Sequence, residues 1–390
     1  MKDHFALAHS VFEETVQIRR RLHQNPELSG EEHQTLAFIA EYLNALDIPF
    51  VSYSNGGICA CIGKGKTAVG IRADIDALPI SEETGLPYAS RNFGVMHACG
   101  HDIHTAILLG AAKLFKEMEE ELPGMVKLFF QPAEETVGGA EVMVREGCME
   151  SPKVEYVLGL HVDPAFPVGT AAFLPGKMNA AVTELSVTVQ GKSCHGAHPE
   201  QGVDAIAAAA YIVTALQGID SRMTAPTEPV VVTIGSIKGG SKNNIIAGEV
   251  QMEGTIRTLS REMAENVKAQ VTRTIKGVAA AWGAEADVVL EDNFPALIND
   301  SSTTMAVASE AQKLLGEKNV IFLETPSMGA DDFAYFANAA KGCYFSIGTA
   351  VEGEPFYSLH SEHYAPSEDC IPVGLVLTLA GALKLLEKCV

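Results

Sequence analysis

Basic residues are scarce in this chain. Lys and Arg number 28 against 49 Asp and Glu, a formal net charge of −21. No basic stripe appears anywhere, which argues against nucleic acid and anionic membrane surfaces as partners. Long hydrophobic runs are also lacking. The apolar stretch from Ile371 to Leu386 falls short of a membrane span and is interrupted by Lys384, so it predicts a buried helix. The opening MKDHFALAHS carries Asp3 and His4 and no long apolar core, so no secretory signal is expected. Eight cysteines lie scattered without framework spacing, which predicts reduced, mostly inert thiols and a cytoplasmic location. Internal repeats, low-complexity tracts and coiled-coil heptads are missing too.

What is present is an ordinary globular composition, 47% hydrophobic and 20% charged, over 390 residues, enough for two domains. The first 180 residues or so alternate helix and strand patterns. A helix is expected near 31–46, a strand at Val69–Ala73, a helix near 104–121, and strands at Val126–Phe130 and Tyr156–Leu160. Near-continuous apolar strands separated by helices imply a mostly parallel sheet covered on both faces. Asp74, Asp76, Glu134, Glu135 and His161 then follow strand ends, the edge where open α/β sheets build their sites.

The middle of the chain changes character, because Leu185, Val187 and Val189 alternate with polar residues, as do Val250 and Met252. Strand 183–190, helix 202–218, strands 229–236 and 249–257, helix 261–281 and strand 286–292 make a β-α-β-β-α-β order, a ferredoxin-like α+β unit. The α/β pattern resumes with a helix near 303–315, a strand at Cys343–Ile347 and the last helix. The expected fold is therefore α/β, with a discontinuous catalytic domain over 1–182 and 298–390 and an inserted domain over 183–297.

Cys99-Gly-His101-Asp102 offers a thiolate and an imidazole from one turn, and both are metal-ligand types. A C-x-H pair alone is more often a buried cysteine beside a surface histidine. The company of Glu134, Glu135 and His161 at matching strand ends reverses that balance. Adjacent Glu134 and Glu135 cannot point the same way, so one can bind metal while the other handles the proton of a water acidified by the metal. Asp102 or His104 is expected to orient His101. Asp74 and Asp76 share one face if their strand runs through both. His195 lies just after the first strand of the inserted unit. Arg257 could clamp a carboxylate bidentately.

Taken in order, these motifs resemble the M20 metallopeptidase and amidohydrolase family, in its branch of N-acyl-amino-acid, hippurate and auxin-conjugate amidohydrolases. The resemblance spans nearly the whole chain. It runs from Arg20-Arg21-Leu22-His23-Gln24-Asn25-Pro26-Glu27 through ADIDALPI, HACGHDIHT, QPAEE and GKSCHGAHP to the Asn244 loop, Gly329-Ala-Asp-Asp332-Phe333 and Leu359-His360. It implies two divalent metal ions (Zn, Mn, Co or Ni) held by Cys99, His101, Glu135, His161 and His360, with Cys99 as the bridge. It implies Glu134 as general base and acid, and Asp76 as support from behind. Asp74 stands where related branches carry a metal-binding His. His195 would be lent by a neighbouring subunit of a homodimer, and Asn244 and Arg257 would hold the substrate carbonyl and carboxylate.

Three positions depart from the pattern: Ala247 where a proline is usual, Ser193-Cys194 before His195, and Asp331 in place of Glu. None removes an implied ligand. The implied reaction is hydrolysis of N-acetyl- or N-benzoyl-amino acids. Dipeptidase, carboxypeptidase or N-acetyl-diaminopimelate deacetylase are the alternatives within the family, and a cysteine-nucleophile hydrolase or a non-catalytic metal-binding protein the alternatives outside it.

Overall fold

The computed structural model describes residues 3–136 and 138–389. The chain opens with α1 (His4–Gln24), α2 (His33–Ala45), β1 (Phe50–Ser52), β2 (Ile58–Ile62) and β3 (Thr67–Asp74). Next come α3 (His101–Glu117), β4 (Met125–Gln131), α4 (Gly139–Arg145), β5 (Lys153–Pro167), β6 (Ala171–Phe173) and β7 (Gly176–Asn179). The middle segment holds β8 (Ala181–Gln190), β9 (Cys194–His195), α5 (Ala205–Leu216), β10 (Val230–Gly239), β11 (Ile245–Ile246), β12 (Glu249–Thr258), α6 (Arg261–Ala281) and β13 (Glu285–Phe294). The chain closes with β14 (Leu297–Asn299), α7 (Ser301–Leu315), β15 (Val320–Phe322), α8 (Phe333–Ala339), β16 (Lys341–Ala350) and α9 (Ile371–Cys389).

Two compact units result. One comprises Met1–Met178, Ile298–Thr325 and Asp332–Val390, the other Asn179–Leu297 with Pro326–Asp331. The short return at 326–331 has no counterpart in the sequence reading. It is tied to the second unit by long-range hydrogen bonds, Ala180 N–H to Gly329 O at 2.9 Å and Arg257 Nη1 to Met328 O at 2.9 Å.

The first unit is built on an eight-stranded sheet in the order β1-β2-β4-β3-β5-β16-β6-β15. Its centre, β4, β3, β5 and β16, is parallel, and antiparallel pairings lie toward the flanks. Burial explains the apolar strands: β3 is covered from Ala68 to Asp74. Successive residues of a strand face opposite ways. Phe130 joins the large cluster with residues of α1, α3 and α9, whereas Phe129 stacks on Phe336 of α8 at 5.1 Å. β3 lies between β4 and β5, so the chain leaves it in opposite directions. That switch point opens a crevice at the carboxyl ends of these strands.

The second unit is an antiparallel sheet, β10-β12-β8-β13, whose buried residues cluster with those of α5 and α6. With its strands numbered in chain order the spatial order is second, third, first, fourth, the split βαβ topology expected from alternation. Ser260 caps α6 by accepting Met263 N–H, and Asp204 caps α5 through Ile206 and Ala207 N–H.

Several elements differ from expectation. α1 has no counterpart among the expected elements, since its polar residues dilute the apolar stripe of Ala8, Val11, Ile18 and Leu22. α3 begins at His101 instead of 104, so His101, Asp102 and His104 form its first turn. β5 runs on to Pro167, which puts His161 within the strand. β3 stops at Asp74, so Asp76 lies beyond it. α9 is not too short for a membrane: by length and composition Glu368–Cys389 could cross one, and 78% of its most apolar window is buried inside the protein.

Candidate active site

The turn Cys99-Gly100-His101 owes its shape to glycine. Gly100 has φ 87°, and a Cβ there would meet Val162 Cγ2 at 2.3 Å. Two non-glycine residues nearby also adopt left-handed backbone, Ala133 at φ 55° and His360 at φ 65°. Each such residue costs about 1–2 kcal/mol, and both are tied down by hydrogen bonds. His360 N–H donates to Ala98 O at 2.9 Å, which brings the His360 segment beside Cys99. Ala133 N–H donates to Glu32 Oε1 at 2.8 Å.

Donor atoms of six residues, from four separate stretches of chain, converge within the first unit. Cys99, His101 and His161 gather within 4.8 Å of one another, as do Cys99, Glu135 and His360, and His101, Glu134 and Glu135. Cys99 Sγ lies 3.5 Å from His161 Nε2, and Glu135 Oε1 lies 3.2 Å from His360 Nε2 and 4.0 Å from His101 Nε2.

Backbone carbonyls fix the tautomers, because they only accept. His101 Nδ1–H donates to Asp76 O at 3.0 Å, with Asp76 Oδ1 3.1 Å away, and His161 Nδ1–H donates to Val162 O at 2.7 Å. Both rings thereby turn Nε2 toward the cluster. Buried His101 Nε2 has no hydrogen-bond partner among the described residues, an orphan a cation would satisfy. Thiol, imidazole and carboxylate together fit a divalent transition metal.

Electrostatics agree with that fit. Burial opposes a charged His101 ring, but the Asp74 carboxylate and the hydrogen bond to Asp76 outweigh it and hold its pKa well above the usual imidazole range. A field that retains a second proton also favours a metal cation. Burial pushes the Cys99 thiol well up, so ionising it needs a positive neighbour. Burial also disfavours an ionised Glu135, yet hydrogen bonding to His360 and the nearby His101 keep its carboxyl below the usual range.

His101 is oriented by Asp76, not by Asp102 or His104. The buried Asp76 carboxylate also accepts Glu135 N–H at 2.9 Å and Ser29 Oγ–H at 2.6 Å. Asp102 instead pairs with Arg19 Nε and His23 Nδ1, each at 2.8 Å. His104 donates Nδ1–H to Asp74 Oδ1 at 2.6 Å and accepts Val162 N–H on Nε2 at 3.0 Å. With both nitrogens used, His104 is a brace between β3 and β5. Asp74 is likewise paired, through Oδ2, with Arg72 Nη1 at 2.6 Å.

The other three predicted residues lie in the second unit. β9 and β11 pair His195 with Ile245, and Gly196 N–H donates to Asn244 O at 2.8 Å, so exposed His195 and Asn244 are neighbours. Half-buried Arg257 sits apart on β12. Sequence reasoning missed Glu32, Arg72, Arg19 and His23 as buried polar supports. For Arg72 a signal existed, since a charge at a covered position of an apolar strand must find a partner.

The thiol, imidazoles and paired carboxylates gathered at the carboxyl edge of the α/β sheet form a donor set suited to a divalent-metal site. The chain belongs to peptidase family M20/M25/M40, whose profile matches residues 70–382. It is 41% identical over 335 residues to N-acetyl-L-cysteine deacetylase of Bacillus subtilis, covering 85% of this chain and 79% of that protein. It is 36% identical over 383 residues to thermostable carboxypeptidase 2 of Saccharolobus solfataricus, covering 96% and 95%. A solved Bacillus subtilis structure described as a dinuclear metal-binding M20 peptidase superposes with TM-score 0.84 at 32% identity, covering 97% and 99%.

Proposed function

We propose that this enzyme hydrolyses the amide bond of N-acyl-L-amino acids, of N-acetyl or N-benzoyl type, releasing a carboxylate and a free amino acid. The reading is carried by the convergence of Cys99, His101, Glu135, His161 and His360 in overlapping groups, with Glu134 beside them. Those five residues would hold two divalent cations. Cations bound there would supply Lewis acidity at the scissile carbonyl and would lower the pKa of the attacking water.

The chain's own groups do the rest. Glu134 takes the proton from water and delivers it to the leaving amine. Asp76 fixes His101 and the backbone of Glu135. His195 donates a hydrogen bond to the developing oxyanion, a role typically worth about 10²–10³-fold in rate. It serves the site of a neighbouring subunit in a homodimer assembled through the second unit. Asn244 holds the substrate carbonyl, and Arg257 pairs with the free carboxylate, giving a local positive focus in a chain of net charge −21. The enzyme acts in the cytoplasm.

A cysteine nucleophile is the competing chemistry, since Cys99 Sγ faces His161 Nε2. Its thiol is driven up instead of down, the opposite of an activated nucleophile. The test is a chelated enzyme reconstituted with Zn, Mn, Co or Ni and assayed on N-acetyl amino acids, hippurate, N-acetyl-diaminopimelate and dipeptides. Metal-dependent turnover of the acyl amino acids is expected. Full activity after chelation, or turnover of dipeptides alone, would overturn the reading.

A further inference from the structure

The structure assigns to Asp332 the role of a positioning residue for Glu134. The inference rests on Glu134 as the proton-handling group and adds what sets its location. Asp332 is fully buried, at the start of α8. One carboxylate oxygen, Oδ2, accepts Gln131 Nε2–H at 2.7 Å and Ala140 N–H at 3.0 Å. The other, Oδ1, accepts Arg72 Nη2–H at 2.7 Å. Gln131 ends β4 and Ala140 sits in the first turn of α4, so a single oxygen joins both ends of the turn that carries Glu134 and Glu135.

That turn does not hold its shape by sequence preference. Ala133 is left-handed without being glycine, and Gly139 packs so tightly that a Cβ would meet Pro132 O at 1.7 Å. Strained backbone persists where its surroundings over-determine it. Here Glu32 takes Ala133 N–H, Asp76 takes Glu135 N–H and Asp332 fastens the ends. Arg72 completes the frame: it donates Nε–H to Gln131 Oε1 at 2.7 Å while pairing with Asp74 and Asp332. A Glu134 oxygen lies within 4.8 Å of an Asp332 oxygen, so the strap runs directly beside the group it locates.

Asp332→Asn is the test variant, because it keeps the volume but sets an NH2 against donors. A misplacement near 1 Å can cost about 10²-fold, so kcat should fall by about that factor with KM and bound metal within about threefold of wild type. Gln131→Met is the second variant: it keeps the side-chain length and cuts the Gln131 arm of the strap while leaving Ala140 N–H on Asp332 Oδ2. It should lower kcat by about tenfold with KM and bound metal within about threefold of wild type, a split that simple loss of stability would not produce.

Activity of Asp332→Asn within about threefold of wild type, or a loss matched by lost metal, would overturn the assignment. If Asp332→Asn does not fold, Gln131→Met decides alone: a kcat loss of about tenfold or more with KM and metal kept supports positioning, and kcat within about threefold of wild type, a loss matched by lost metal or a second failure to fold overturns it. Glu134→Gln is assayed alongside. An active Glu134→Gln removes the premise about Glu134, whereas an inactive one beside a fast Asp332→Asn removes only the role of Asp332.

Discussion

Asp76 grips His101 twice, with its main-chain oxygen 3.0 Å and its Oδ1 3.1 Å from the same ring nitrogen. Its other carboxylate oxygen accepts the backbone N–H of Glu135. One residue therefore sets the tautomer of a proposed ligand from α3 and the backbone of another from the turn after β4.

Replacing Asp76 with Ala should consequently weaken metal binding more than folding. Outer partners of this kind are worth about 10–100-fold in metal affinity. Competition with a chelating dye should read a loss in that range for Asp76→Ala. Affinity within about threefold of wild type would mean that His101 needs no such partner.

Arg257 spends one donor on Met328 O and has further N–H groups for a bidentate contact. A hydrogen bond to a charged group is worth about 1.5–3 kcal/mol. Arg257→Ala is expected to raise KM by about 10–100-fold for acyl amino acids with a free carboxylate, and by less than about threefold for their amides. Equal losses for both would count against the carboxylate clamp.

Sharing of His195 between subunits is testable by mixing. His195→Ala lacks the oxyanion donor and Glu134→Gln lacks the base. If each is inactive alone and the subunits exchange, heterodimers should contain one intact site and regain activity. No recovery despite exchange, followed by native mass spectrometry, would put His195 back in its own subunit's chemistry.

His97 supplies a prediction about pH. It is buried, neither ring nitrogen has a hydrogen-bond partner among the described residues, and burial lowers its pKa to about 4. In the unfolded chain it titrates near 6.5. Above that pH the ring is neutral in both states and contributes nothing to the pH dependence of stability. As pH falls from about 6.5 to about 4 the unfolded state takes up the extra proton, and stability is lost. Urea unfolding should show the wild type losing up to about 3 kcal/mol relative to His97→Leu across that window. Parallel pH profiles would show that the ring is protonated without penalty.

The sequence was legible where chemistry is local and periodic. Apolar runs ending in Asp74 and Gln131 marked two strand ends of one crevice, the run before His161 marked β5 but not its extension to Pro167, and the alternation around Leu185 and Val250 marked a one-sided sheet. What stayed hidden depends on meetings between distant residues. Nothing near Asp102 says that it will face Arg19 and His23 and leave His101 to Asp76. Equally, Pro326–Asp331 carries no mark of the hydrogen bonds that tie it to Ala180 and Arg257. His195 and Asn244 stand far apart in the sequence, and only the short β9–β11 ladder makes them neighbours.

The place of β16 in the large sheet has a consequence for biosynthesis. It is the last strand made, yet it lies between β5 and β6, parallel to one and antiparallel to the other. During translation the growing chain must hold an unfilled slot while the whole second unit is polymerised, an interval of roughly ten to thirty seconds at ordinary elongation rates. Until β16 is made, β5 and β6 lack the strand that lies between them, so any sheet formed on the ribosome carries open edges of the kind that favour aggregation.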